Sequence, residues 1–175
     1  GQGCAVTLAG VKLPAVALAG KGDTGEFQQA LPGKQGTLAG ELTRVVRHGG
    51  RIVLALDHDE PGLKAEKIVA GLLMEIAGLT ALQFARLRWP EHGKDANGWW
   101  LDGGTADDFS QAVAGAEPWL ASLIEDARLK PSDGEAMRTI FHAISNLELY
   151  EIESWREDIM KALNIRPRAF DAMLK

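Results

Sequence analysis

The residues with most capacity for chemistry are Asp57 and Asp59, which close the apolar run Ile52 to Leu56 and precede Glu60-Pro61-Gly62. On an extended chain alternate side chains share a side, so the two carboxylates face one way about 7 Å apart along the backbone. Two hard oxygen ligands on a strand end, with no Cys or His pair beside them, suit Mg²⁺ or Mn²⁺ rather than zinc. A divalent ion at such a place neutralises a phosphate under attack, which is what phosphoryl transfer requires. The same residues have a plainer use, since Asp is common where strands end and at the caps of helices. His58, between them, faces the other way along a strand, and packing or solvent contact is its expected role.

Other candidates flank this pair. Gly20-Lys21-Gly22-Asp23-Thr24-Gly25 and Gly33-Lys34-Gln35-Gly36-Thr37 have the composition of phosphate loops. Neither fits Gly-x-x-x-x-Gly-Lys-Ser/Thr, so an ATP-binding P-loop is not expected, while Lys21 and Lys34 remain candidates for contact with a template or an incoming nucleotide. Trp89, Trp99 and Trp100 surround Lys94-Asp95; they could stack bases, although burial of the rings against the helical part is the commoner use. His48, His92 and His142 are scattered and carry no assigned role.

The elements that must position these residues follow from periodicity. Pro14 to Ala19, Ile52 to Leu56 and Leu82 to Leu87 read as three strands. Leu38, Leu42, Val45 and Val46 recur at helical spacing before the second strand, with Thr37 as N-cap and Gly49-Gly50 as the stop. Ala65, Ile68, Val69, Leu72, Leu73 and Ile76 make one apolar helix face between the second and third strands, with Lys64, Glu66, Lys67 and Glu75 off it. Strand and helix in alternation predict an α/β fold with a parallel sheet, which binds ligands at the carboxyl ends of its strands, where Asp57 and Asp59 fall.

Composition changes near Glu117-Pro118, so residues 1–116 read as the α/β part and 117–175 as a small all-α bundle. Its helices begin at Trp119, at a capping box of Ser132 and Glu135, before Ile152, and at Pro167. The stretch "ALNIRPRAFDAML" has the rhythm of a helix-turn-helix reader, but with only Arg166 and Arg168 as nearby bases, bundle packing is expected.

"LALDHDEPGLKAEKIVAGL" resembles the Asp-x-Asp motif of Toprim domains, the fold shared by topoisomerases and primases. "WPEHGKDANGWW" is similar to the Gly-Lys-Asp-Ala-Asn segment that follows the next strand in primase-type and phage primase-helicase Toprim domains. The resemblance covers residues 1 to about 116, and "AMRTIFHAISNLELYEIESWREDIMKALNIRPRAFDAMLK" more weakly resembles the helical segment after Toprim in primases. It implies Asp57 and Asp59 as ligands of Mg²⁺ or Mn²⁺, Asp95 as a third acid or its partner, and Lys94 on a phosphate. The family also carries a Glu-Gly pair; Gly1 would be its glycine, placing the Glu one residue before the chain, and Cys4 stands where many members have Asp.

What the resemblance implies is a DNA primase-like nucleotidyltransferase that makes RNA primers on single-stranded DNA, from phage, plasmid or bacterium, whose isolated fragment would be inactive. A Toprim nuclease would use the same acids, and a non-catalytic module would bind nucleic acid or dock a replicative helicase. Topoisomerase chemistry needs a nucleophilic tyrosine, and Tyr150 begins a bundle helix. Haloacid-dehalogenase-like phosphatases also carry Asp-x-Asp, but want Thr or Val where Pro61 stands. A response-regulator receiver needs an upstream acidic pair that is not evident.

The remaining constraints are global. At 175 residues, 46% hydrophobic and 25% charged, the chain suits one ordinary domain or a medium one with a small helical addition. No apolar run approaches the roughly 20 residues that span a bilayer. The lone Cys4 excludes an internal disulfide and favours a reducing, cytoplasmic setting. Nineteen basic residues against 24 acidic give a net charge of -5, so contact with nucleic acid calls for a local site or a metal rather than a basic surface.

Overall fold

Alternate residues of two short parallel strands point to opposite sides of a sheet, and both sides are covered. In the computed structural model, residues 38–57, 59–89, 95–130 and 134–174 are described. The elements are α1 (Leu38–Arg47), β1 (Ile52–Leu54), α2 (Glu60–Ala77), a 3-10 turn at Ala81–Gln83, β2 (Phe84–Arg86), α3 (Ala96–Leu101), α4 (Ala106–Ala114), β3 (Glu117–Pro118), α5 (Trp119–Leu129), α6 (Gly134–Ile144), α7 (Leu149–Leu163) and α8 (Pro167–Met173). The expected strand at Pro14 to Ala19, the loop to Gly36 and the Thr37 and Ser132 caps lie outside the described residues.

The described sheet is mixed, which corrects the expectation of a parallel one. β1 pairs with β2 in parallel, Ile52 opposite Phe84 and Leu54 opposite Arg86. β3 then joins β2 antiparallel, Arg86 opposite Glu117 and Ala85 opposite Pro118. The reversal comes from α4, whose last carbonyls sit beside the entry to β1: the Arg51 guanidinium donates to Val113, Ala114 and Ala116 at 2.9, 2.6 and 3.2 Å. This capping brings the chain back along β2, and Pro118, lacking an N–H, ends the ladder. Glu117-Pro118, the point where composition changes, is therefore part of the sheet.

On one side of the sheet Leu54 and Phe84 enter a large apolar cluster with Val69, Leu73 and Met74 of α2 and with α5 to α8. Trp119 meets Phe84 edge-on at 5.9 Å. Ile140, Ile144, Ile159 and Phe170 have no exposed surface, and burying each such side chain stabilises by about 1.5–3 kcal/mol. On the other side Ala85 and Leu87 pack with Trp89, Ala96, Phe109 and Ala116, with Val53, Ala55 and Trp99 against them. Phe170 on α8 is buried under the Arg156 guanidinium, 5.0 Å from its ring centre, so the α7–α8 pair packs into the bundle as expected.

Helix α2 departs from its predicted face. Ile68 is 48% exposed, whereas Glu66 is 3% exposed. Glu66 turns inward because Arg86 of β2 meets it there: Nη2 lies 2.7 Å from Oε1, and Nε spans both carboxylate oxygens at 2.9 and 3.1 Å. The Trp119 indole donates to the same Oε1 at 2.8 Å, and Arg86 Nη1 reaches Asp126 Oδ2 on α5 at 2.7 Å. Burial works against the Arg86 charge, but Glu66 and Asp126 outweigh it and hold the guanidinium above its ordinary pKa. A charge is tolerated in a core only when paired and hydrogen-bonded in this way.

Candidate functional site

The chain leaving β1 is fastened up to the first acid. Leu87 N–H donates to the Leu54 carbonyl at 3.0 Å, and the Trp89 indole donates to the Leu56 carbonyl at 3.0 Å. Ala55 packs on one side and Leu56 on the other, so the extended alternation continues to the residue before Asp57. Asp57 is half-buried at the carboxyl end of the parallel pair.

Helix α2 starts immediately beyond. Asp59 is its N-cap, with extended backbone, and its Oδ1 accepts from Gly62 N–H at 2.8 Å. Pro61 suits the first turn, where no intrahelical N–H is needed. Gly62 is required by close approach: a Cβ there would lie 2.1 Å from the Asp57 carbonyl oxygen. Asp57 and Asp59 are thus brought into one compact turn, at a helix start whose dipole favours anions such as phosphate.

Asp95 takes the same local role. It is the N-cap of α3, its Oδ1 accepting from Gly98 N–H at 2.7 Å. Trp99 of α3 contacts Trp89 edge-on at 5.9 Å and Phe109 at 4.5 Å. Trp89 therefore touches the helix that Asp95 begins and also holds the carbonyl just before Asp57. Burial is the expected use of all three tryptophans; Trp89 and Trp99 follow it, against the sheet and α4 rather than the 117–175 bundle, and Trp100 does not. Trp100 is 45% exposed.

Among the described residues no three His, Cys, Asp or Glu side chains form a group that could hold a metal ion. By donor type the pair suits a hard divalent cation, with one Asp59 oxygen already committed to the cap. Lys21, Lys34, Lys94 and His58 lie outside the described residues.

Charges collect around the start of α2. Lys64 Nζ lies 2.8 Å from Glu60 Oε1. Its hydrogen bond and charge, with a smaller contribution from Lys130, hold the Glu60 carboxyl below its ordinary range. Lys130, the C-cap residue of α5, escaped notice in the sequence, as did the Arg86, Glu66 and Asp126 network. No sequence signal marks Lys130 as a neighbour of Glu60. Helix α4 did carry one, since Thr105 and Asp108 form a capping box.

No described helix is long and apolar enough to cross a membrane. No family model, no curated protein and no solved structure matches the chain.

Proposed function

We propose that this chain is the Toprim-like part of a primase-like replication protein, and that Asp57 and Asp59 hold Mg²⁺ or Mn²⁺ for nucleotidyl transfer on single-stranded DNA. The observation that carries the reading is the pair's position: two carboxylates at the carboxyl end of parallel β1, locked into one turn by Gly62 against the Asp57 carbonyl. When bound, the ion supplies charge neutralisation of the phosphates. The chain's own part is to orient: Trp89 fixes the carbonyl before Asp57, and the start of α2 offers its positive dipole end to a phosphate. Lys94, Lys21 and Lys34 are the candidate phosphate and nucleic-acid contacts, and Asp95 the candidate third acid.

A scaffold reading has an observation of its own. Asp59 and Asp95 both cap helices, which is sufficient reason for an Asp at either place. Metal titration separates the two. Mn²⁺ at millimolar concentration should bind wild type, followed by calorimetry or by the loss of free-Mn²⁺ electron paramagnetic resonance signal, and Asp57→Asn should weaken binding at least tenfold. Absence of binding by wild type would leave the scaffold reading. Primer synthesis assayed beside nicking of single-stranded DNA then separates primase from nuclease.

A further inference from the structure

Helices α7 and α8 are joined by Asn164, Ile165 and Arg166 alone. Asn164 takes the left-handed conformation, with φ 51° and ψ 45°, and is the only non-glycine residue of positive φ among the described residues. Asn is one of the few side chains that accept this conformation where a helix ends. The turn closes back on α7, the Ile165 N–H donating to the Met160 carbonyl at 3.1 Å. Ile165 then joins the large apolar cluster, which also takes in Ile159 and Leu163 of α7 and Phe170 of α8. Phe170 lies 5.0 Å under the Arg156 guanidinium of α7 and 5.5 Å from the Phe141 ring of α6. Two helices, a short turn holding a left-handed residue and a third helix behind them are the parts of a helix-turn-helix unit, whose second helix enters the major groove of DNA.

The inner side of α8 is taken up by packing, and its outer side is open. Arg166, Pro167, Arg168, Ala169 and Ala172 are all exposed. Charge on this unit is arranged unevenly, because its acids are neutralised from within. Asp171 Oδ1 and Glu153 Oε1 share the Arg156 guanidinium at 2.5 and 2.9 Å, Glu157 pairs with Lys161 at 2.8 Å, and Asp158 pairs with Arg128 of α5 at 3.1 Å. Every acidic residue from Glu153 to Asp171 therefore has a basic partner, whereas Arg166 and Arg168 make no ion pair with another described residue. On a chain of net charge -5 this is the kind of local basic face that contact with nucleic acid requires. We propose that α6, α7 and α8 form a helix-turn-helix unit that binds duplex DNA, with α8 in the major groove and Arg166 and Arg168 on phosphates and base edges. Packing into the bundle and reading DNA are compatible, since they use opposite sides of α8. The contact needs no metal and goes beyond the role given to Asp57 and Asp59.

Fluorescence anisotropy tests this on the whole chain, with a fluorescein-labelled, mixed-sequence duplex of about 20 base pairs, in EDTA and at about 50 mM salt, where phosphate contacts are strong. Wild type is compared with Arg166→Ala, Arg168→Ala and Arg47→Ala, the last removing an exposed positive charge from α1 instead. Wild type should bind the duplex, and Arg166→Ala and Arg168→Ala should each bind about tenfold more weakly, with the slope of log affinity against log salt shallower by about one. Arg47→Ala should stay within about twofold of wild type, because unspecific loss of positive charge is not the cause. Thermal melts of the two α8 variants should match wild type, since both side chains are exposed, so weaker binding reports a lost contact and not a lost fold. Failure of wild type to bind the duplex overturns the inference, as does duplex binding that Arg166→Ala and Arg168→Ala leave unchanged. Tighter binding to one strand of the same sequence than to the duplex overturns it too, because a major groove is then not what α8 reads. With EDTA present throughout, these outcomes leave the metal site untouched, and failure of Mn²⁺ to bind leaves the α8 contact standing.

Discussion

Asp59 has two roles that different substitutions separate. Its Oδ1 accepts from Gly62 N–H at 2.8 Å, and Asn is as good an N-cap as Asp. Asp59→Asn should therefore keep stability within about 0.5 kcal/mol while removing a charged ligand, whereas Asp59→Ala should lose about 1 kcal/mol as well. Urea midpoints beside Mn²⁺ titration check both; equal Mn²⁺ affinity in wild type and Asp59→Asn would confine Asp59 to capping. The carboxylates of this turn were legible in the sequence as chemistry, since strand ends and Asp-x-Asp spacing are local. Which oxygen serves the cap was not, because it depends on how closely Gly62 approaches Asp57.

Among the elements, the step from β3 into α5 is secured by Glu117. Its Oε2 lies 2.9 Å from Arg88 Nε and accepts from Ser122 Oγ at 2.8 Å. Burial raises its pKa, but the Ser122 hydrogen bond and the Arg88 charge outweigh that, so it is held below 4.5. A depressed carboxylate contributes stability that is complete above its unfolded value and is lost as pH falls through its folded value. Glu117→Gln should thus cost under about 1 kcal/mol at pH 7, because the pair is partly exposed. That difference should shrink as pH falls through the depressed range of the folded carboxyl, as urea midpoints along an acid series would show; a constant difference would point to packing instead. Periodicity located α1, α5, α6 and α7 well, each having an apolar stripe. It missed β3, because two residues have no period, and it rotated the face of α2 because Glu66 reads as a solvent residue until Arg86 is brought to it.

Across the whole molecule, one apolar cluster takes in β1, α2, β2 and all four helices after residue 118, and the Arg86 network lies where they meet. Arg86→Met should destabilise by about 3–5 kcal/mol, since Glu66 is left charged and unpaired in the core. Adding Glu66→Gln should recover part of the loss, because the amide removes the charge and still offers an oxygen to the Trp119 indole. Denaturant unfolding of the two variants measures this, and a double variant no more stable than Arg86→Met would show that the buried charge is not the cost.

By itself the sequence determined the alternation of strand and helix, the acidic turn after β1 and the main helix stripes, because each is written in neighbours a few positions apart. Only the tertiary structure decided that Glu117-Pro118 returns antiparallel to β2 and that a core guanidinium ties α2 to α5. Those facts join residues dozens of positions apart, and the free energy that fixes them, burial together with charge pairing in a water-poor interior, exists only once the distant segments have met.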